Sequence, residues 1–460
     1  MRQRASVLIG VLWCVVLLSV IVVSVLHTVR LDLIVQKHHG DRIQAHYLAL
    51  AGIEKAKALL WKDAQDRKSS RVHHNGLMYD SPMDFRDIPF GPGEFRVFRR
   101  GREDEGGSIV YGVSDEESRL NVNTASQEAL AKIYGMTPDV VAAILDWRDA
   151  DNTVTPGGAE ADYYLSLPRP YVPRDGPFET IRELLMVRGV TRELLLGKDR
   201  NQNGFFERSG DNPNDSQALD EAGVLDAGWA GVMTVDSSVR NLNAAGETRV
   251  DVKSADEASL TGIPGLTTDI ARAIVAYRNQ NQFESVASLL EVTAPNQNDN
   301  RGGPPRNGRG RNGPANNGNG GNPGNNGNGG PTVISESLLM DIADGLMIGT
   351  EENQPGAINI NSASLTVLTC LPGVDQTLAR AIISYRKSNG YFANLAFLLK
   401  VQGMTRDIFK QIAPLVTCRS ETFRIMSEGR IKSSRVSQRI QAIVRLGADT
   451  IETVSYREDL

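Results

Sequence analysis

The longest apolar stretch of the chain runs from Ser6 to Leu26, 21 residues without a charge, and it follows Arg2 and Arg4. At ~1.5 Å per residue such a stretch crosses a ~30 Å hydrocarbon core as one helix, and the flanking arginines hold the short N-terminus in the cytoplasm. The rest of the chain is then exported. A cleaved secretory signal is the competing reading, although its apolar core would run ~7 to 15 residues and end in a small-residue cleavage site. Past the apolar stretch Ile34, Ile43, Tyr47, Leu50, Ala51, Glu54 and Ala58 keep a helical spacing, and no Pro or turn cluster intervenes before Trp61. Only Gly40 and Gly52 weaken the run. The pattern predicts a stalk rooted in a membrane and packed on a globular head.

Alternation with β-branched residues predicts strands over 93–99, 108–113, 422–431, 436–446 and 451–456. These lie at both ends of the exported region, so one sheet joining them makes everything between an insertion. That middle carries a threefold repeat. Thr124, Ser254 and Ser362 each precede a glycine by eleven residues, at Gly135, Gly265 and Gly373. Nine residues on comes Ile (Ile144, Ile274, Ile382), at twelve an aromatic (Trp147, Tyr277, Tyr385) and at thirteen an arginine (Arg148, Arg278, Arg386). Each unit reads as a short helix capped by the Thr or Ser, a tight glycine turn and a second helix with the Ile and aromatic on its apolar face. The arginine either contacts a phosphate or closes a surface ion pair.

Composition adds little to this picture: 460 residues suit roughly three domains, and a net charge of −5 gives no global field for a polyanion. Residues 296–331 are almost purely Asn, Gly, Pro and Arg, the composition of a flexible linker. Of three cysteines, Cys14 lies in the apolar stretch, and the spacing leaves a Cys370–Cys418 disulfide open. No catalytic constellation is present: the adjacent pairs His38, His39 and His73, His74 complete no zinc motif, and no phosphate loop or nucleophile elbow occurs. An enzyme is not expected.

Two segments carry metal-type chemistry. Units two and three pass from the arginine to Phe283 and Phe392 within six residues, whereas Phe178 follows Arg148 by thirty. The inserted loop holds clustered carboxylates, including Asp149, Asp151, Glu160, Asp162 and Asp175, with glycines and almost no cations. It can supply the several oxygen ligands that calcium prefers; a merely solvated acidic loop is the alternative. The second segment starts at Asp199, where Asp199, Asn201 and Asn203 match positions one, three and five of an EF-hand loop, a glycine follows at six and Glu207 stands at nine. Position twelve is Gly210, where a bidentate Glu is expected, so the second half of that motif is missing.

The leader Arg2-Gln3-Arg4-Ala5 ahead of Ser6-Val7-Leu8-Ile9 resembles that of pseudopilins, and most closely the K-type minor pseudopilins of type II secretion systems. The resemblance implies cleavage by prepilin peptidase between Ala5 and Ser6, although most members have Gly where Ala5 stands. The fifth mature residue is then Gly10, without the lipid-buried Glu of most pilins, as suits a subunit with nothing above it. The repeats resemble helix-hairpin-helix modules, which in many proteins hold a nucleic-acid phosphate and in K-type pseudopilins serve as scaffold. The stretch from Asp146 through Tyr164 is similar to the calcium-binding stretch of that family, which implies Asp149, Asp151, Glu160 and Asp162 as calcium ligands or near neighbours.

The implied fold class is α+β, a long membrane helix on an antiparallel pseudopilin sheet with a large inserted helical domain of helix-hairpin-helix-like (SAM-like) repeats. The expected divisions are a leader (1–5), membrane and stalk helix (6–62), first part of the head (63–118), helical insertion with repeats one and two (119–295), linker (296–331), third repeat (332–417) and closing strands (418–460). The implied role is a tip subunit that initiates or caps the pseudopilus for export of folded proteins across the outer membrane. It is held by one pass in the inner membrane with a periplasmic body. Its implied partners are other minor pseudopilins, the inner-membrane assembly platform and prepilin peptidase. The alternatives are a membrane-tethered helix-hairpin-helix DNA receptor of a competence-like system and a type IV pilus minor subunit. A DNA receptor needs no pseudopilin leader or flanking sheet and calls for basic hairpins, whereas the first hairpin here is acidic.

Overall fold

A computed structural model describes residues 2–70, 78–106, 109–197, 199, 227–294 and 331–458. The apolar stretch and the stalk are one helix, Arg2–Ser70. Among the described residues it is the one helix long and apolar enough to cross a membrane. Its first half is exposed from Gly10 onward, while Ala45, Leu48, Ala49, Ile53, Ala56 and Leu60 are buried. Their steps of three and four residues make one apolar stripe.

That stripe lies on an antiparallel sheet whose strands run in the order Ile88–Phe90, Gly93–Arg100, Thr422–Ile431, Ser437–Leu446, Ile451–Arg457. Phe98 pairs with Met426 and Gly93 with Ile431, so strands more than 300 residues apart in the chain are neighbours. The helical region is therefore an insertion, and four of the expected strands stand within a residue or two of their predicted ends, whereas the one expected over 108–113 is a strand only at Ile109–Val110. Helix and sheet approach closely through glycine. A Cβ at Gly429 would sit 2.0 Å from the Ala45 carbonyl oxygen, and one at Gly52 would sit 2.1 Å from Ser427 Oγ. Gly52, which weakens the helix as sequence, is what lets the helix rest on the sheet.

Each repeat opens on a two-residue strand, Leu120–Asn121, Val250–Asp251 or Ile358–Asn359. Each of these pairs in parallel with the strand that closes its unit, Met233–Thr234, Leu346–Met347 or Val416–Thr417. Between them stand two hairpins where the repeat pattern predicts one. In unit three the first hairpin is Leu365–Thr369 with Gln376–Asn389, and the second is Leu395–Lys400 with Arg406–Ile412. Unit two completes its second hairpin with Val286–Glu291 and Glu336–Ile342, on either side of the Asn/Gly-rich segment. Val333 N donates to Val292 O at 2.9 Å, which closes the base of that segment. The expected division at 332 is thus displaced: residues 332–347 finish unit two and the third unit begins at Ile358.

The helix caps also differ from expectation. Ser126, Asp256 and Ser364 cap the first helices by accepting from the N–H three residues on. Thr124, Ser254 and Ser362, two residues earlier, belong to the preceding turn, where Asn121, Asp251 and Asn359 each accept from the N–H two residues ahead. Cys370 and Cys418 are buried and unbonded, and burial pushes the Cys370 thiol up to about 11.

Candidate functional site: an acidic pocket and three glycine turns

The loop inserted in unit one folds back on the end of the helix Pro138–Arg148. Asp146 lies in the last turn of that helix and is fully buried, and Asp149 is its C-cap. Glu160 stands at the start of the helix Ala161–Leu165 and is 3% exposed. One carboxylate oxygen from each of the three lies within 4.8 Å of the others. The chain can bend so tightly because Gly157 takes φ +87° and because a Cβ at Gly158 would fall 2.0 Å from Asp146 Oδ2. Both oxygens of Asp146 accept from Thr155 N at 3.2 Å. Behind the loop, Arg188 donates to Gly158 O at 2.8 Å and lies over the Tyr163 ring.

Both oxygens of Glu160, together with Asp149 Oδ1 and Asp175 Oδ1, are buried without a hydrogen-bond partner. Burial, followed by the fields of Asp146, Asp149 and Asp175, raises the Glu160 carboxyl to about 7. Burial and then Asp151 and Asp146 raise Asp149 as well. Buried carboxylates that repel each other and lack donors are costly until a cation joins them. The donor set, all oxygen and all hard, fits calcium.

Of the four ligands expected from sequence, Asp149 and Glu160 come together while Asp151 and Asp162 do not. Asp151 is exposed and accepts from Thr153 N at 2.7 Å, and Asp162 is exposed on the short helix. Asp146, where the resembling stretch begins, completes the cluster, and Asp175, one of the loop's carboxylates, borders it at φ +48°; neither was among the four implied ligands. Asp146 is hidden in a helical pattern, and its spacing of three from Asp149 was the available signal. In the EF-hand-like segment, Asp199 is buried in an ion pair with Arg100 at 3.3 Å. Asn201, Asn203 and Glu207 lie outside the described residues.

Gly135, Gly265 and Gly373 turn the first hairpins at φ of +75°, +101° and +70°. The helix starts after them are occupied by protein: Thr137, Thr267 and Asp375 accept from Val140 N, Ile270 N and Leu378 N, and Asp139 and Asp269 add charge in the first turn. The repeated arginine turns chiefly to backbone carbonyls, and Arg386 also closes an ion pair, a buried one with Asp104 at 3.5 Å. Arg386 donates to Ile360 O at 3.0 Å and Ala363 O at 2.8 Å, Arg278 to Val252 O and Ala255 O, and Arg148 to Val122 O and Ala125 O. It staples the opening turn of its own unit to the long helix.

The family model for type II secretion system protein K matches residues 114–197, the span that holds the buried acidic pocket. The helix-hairpin-helix motif model matches residues 246–294 and 354–417. Among curated proteins, type II secretion system protein K of Pectobacterium carotovorum subsp. carotovorum is 26% identical over 220 residues, 42% of this chain and 60% of that protein. ComE operon protein 1 of Bacillus subtilis is 33% identical over 73 residues, 16% of this chain and 36% of that protein. The chain thus spans less than two thirds of the length of either relative. The crystal structure of the GspK-GspI-GspJ complex of the enterotoxigenic Escherichia coli type 2 secretion system aligns over 94% of this chain and 98% of that one, at 12% identity and a TM-score of 0.41.

The region matched at 114–197 is fixed to the head by three consecutive acids at its start. Asp115 accepts from Ser420 Oγ at 2.6 Å, Asn359 Nδ2 at 3.2 Å and Ser362 Oγ. Glu116 sits between Arg119 and Arg424 and accepts from Thr234 Oγ1. Burial alone would raise it, yet the two guanidiniums hold it below the ordinary range. Glu117 accepts from Ser238 N and Thr422 N, and burial, then the Asp115 carboxylate, raises it well above that range. Units one and three and the central strand of the head meet on these three residues.

Proposed function

We propose that the chain is a minor pseudopilin that initiates or caps the pseudopilus of a type II secretion system, with a structural rather than catalytic role. The observation that carries this reading is the match to the protein K model at 114–197, within an insertion in a head whose stalk continues into one helix long and apolar enough to cross a membrane. The helix holds the protein in the inner membrane, the head and its insertion stand in the periplasm, and prepilin peptidase cuts between Ala5 and Ser6. Other minor pseudopilins and the assembly platform are the partners. Deletion of the chain in its host is expected to stop release of a folded substrate of the type II system. A copy lacking residues 114–417 should fail to restore it while still reaching the membrane, and full secretion by that copy would refute the role.

In this reading Asp146, Asp149 and Glu160, with Asp175 at the border, hold a calcium ion. The ion neutralises the buried carboxylates and orders a loop too long to hold itself. Calorimetric titration of the purified chain with calcium is the test, and an unchanged heat trace against Glu160→Gln would refute it. The helix-hairpin-helix match at 246–294 and 354–417 supports a second reading, a membrane-tethered DNA receptor. The chemistry of the turns speaks against it: Asp139, Asp269 and Asp375 place carboxylates where a phosphate would bind, and the repeated arginines are spent on backbone carbonyls.

A further inference from the structure

The end of the stalk, the loop that leads into unit two and the closing strands of the head enclose a crevice of about 40 Å³. Four cations line it, Arg67, Lys68, Arg240 and Arg419, against one carboxylate, Glu421. Glu421 is already engaged. It accepts from Arg240 Nε and Nη2 at 2.9 to 3.2 Å and lies 3.3 Å from Arg419 Nη2. Arg67 pairs with Asp63 behind the wall at 2.9 Å. Lys68 has no ion-pair partner among the described residues. Its stem packs over Gly246, whose φ is +82° and where a Cβ would lie 3.1 Å from Lys68 Cε, so the ammonium is delivered to the crevice.

Burial pushes the Arg419 guanidinium down to about 10, with the pull of Glu421 set against the positive charges of Arg249, Arg240 and Arg67. The volume corresponds to about three water-sized spheres, enough for the head of a small oxyanion.

We propose that this crevice binds a small oxyanion, a phosphate or a carboxylate, which Lys68 and the surrounding guanidiniums hold between stalk, head and unit two. The balance of charge calls for it: with Asp63 engaged by Arg67 and Glu421 shared by Arg240 and Arg419, an anion would supply the counter-charge still missing beside Lys68, and charge-assisted bonds from Arg and Lys suit oxyanions. The site is independent of the secretion role.

The test is calorimetric titration of the full chain in detergent with inorganic phosphate and, separately, with succinate, at constant ionic strength. Saturable heat with either anion supports the proposal, and which anion responds distinguishes phosphate from carboxylate recognition. Lys68→Met keeps the stem and removes the charge, so binding should weaken about tenfold with the ligand-free melting temperature little changed. Lys68→Gln guards against a folding defect, and Lys62→Met, exposed on the same helix, should bind as the parent does. Absence of saturable binding by both anions, or equal weakening in Lys62→Met and Lys68→Met, would overturn it.

Discussion

Replacing Arg386 by Met tests whether the repeated arginine is a staple or a phosphate contact. Arg386 is 6% exposed. It serves the Ile360 and Ala363 carbonyls at 3.0 and 2.8 Å and lies 3.5 Å from Asp104. Met fills much the same space but donates nothing, so two buried carbonyls and one carboxylate lose a partner together. A buried polar group left unpaired costs about 1–3 kcal/mol, and breaking one side of a buried ion pair about 3–5 kcal/mol. The losses overlap, because Lys387 also reaches Asp104 at 3.6 Å, and a total of about 3 to 5 kcal/mol is expected. For a region of this size that lowers the melting temperature by about 6 to 15 °C, read by circular dichroism on the chain in detergent. Arg278→Met should cost less, because Arg278 is half-buried and its guanidinium serves only the two carbonyls. Melting temperatures of both variants within a degree of the parent, with loss of duplex DNA binding, would refute the staple.

Gly429→Ala should separate the stalk from the head, since its methyl group would meet the Ala45 carbonyl and Ala49 N from below; hydrogen exchange along residues 45–60 should rise, and unchanged protection would refute the close approach. Without calcium the raised carboxyl of Glu160 binds a proton in the folded state that the unfolded chain releases. Stability is therefore greatest below about 4.5, falls as pH rises toward about 7, and should lose this slope in calcium or in Glu160→Gln, as thermal midpoints across that range will show. Glu116→Gln strips Arg119 and Arg424 of their partner and should cost about 3 kcal/mol, whereas Glu117→Gln, at a carboxyl that burial and Asp115 push toward its neutral form, should cost less. Equal midpoints for the two would contradict the opposed directions in which their surroundings push the two carboxyls.

The head was legible because strands such as Thr422–Ile431 and Ser437–Leu446 are ten residues each, long enough for alternation to show. The first hairpin of each unit was legible through fixed spacing, since glycine, Ile, aromatic and Arg all serve one turn and one helix. The second hairpin was not: its first arm is a six-residue 3-10 helix, too short for a period, and in unit two the Asn/Gly-rich segment splits it. The cap shifted by two residues because a Thr or Ser beside an Asn or Asp reads equally well as cap or turn until the turn's hydrogen bonds are known. In the acidic pocket, chain proximity pointed to Asp151 and Asp162. Burial selected Asp146 instead, at the end of a helix that looked wholly structural.

The proposed role requires a processed N-terminus, and mass mapping of it, from membranes of hosts with and without prepilin peptidase, is the most direct test. The account expects a terminus at Ser6, methylated, that depends on the peptidase. An intact Met1 in both hosts would contradict it.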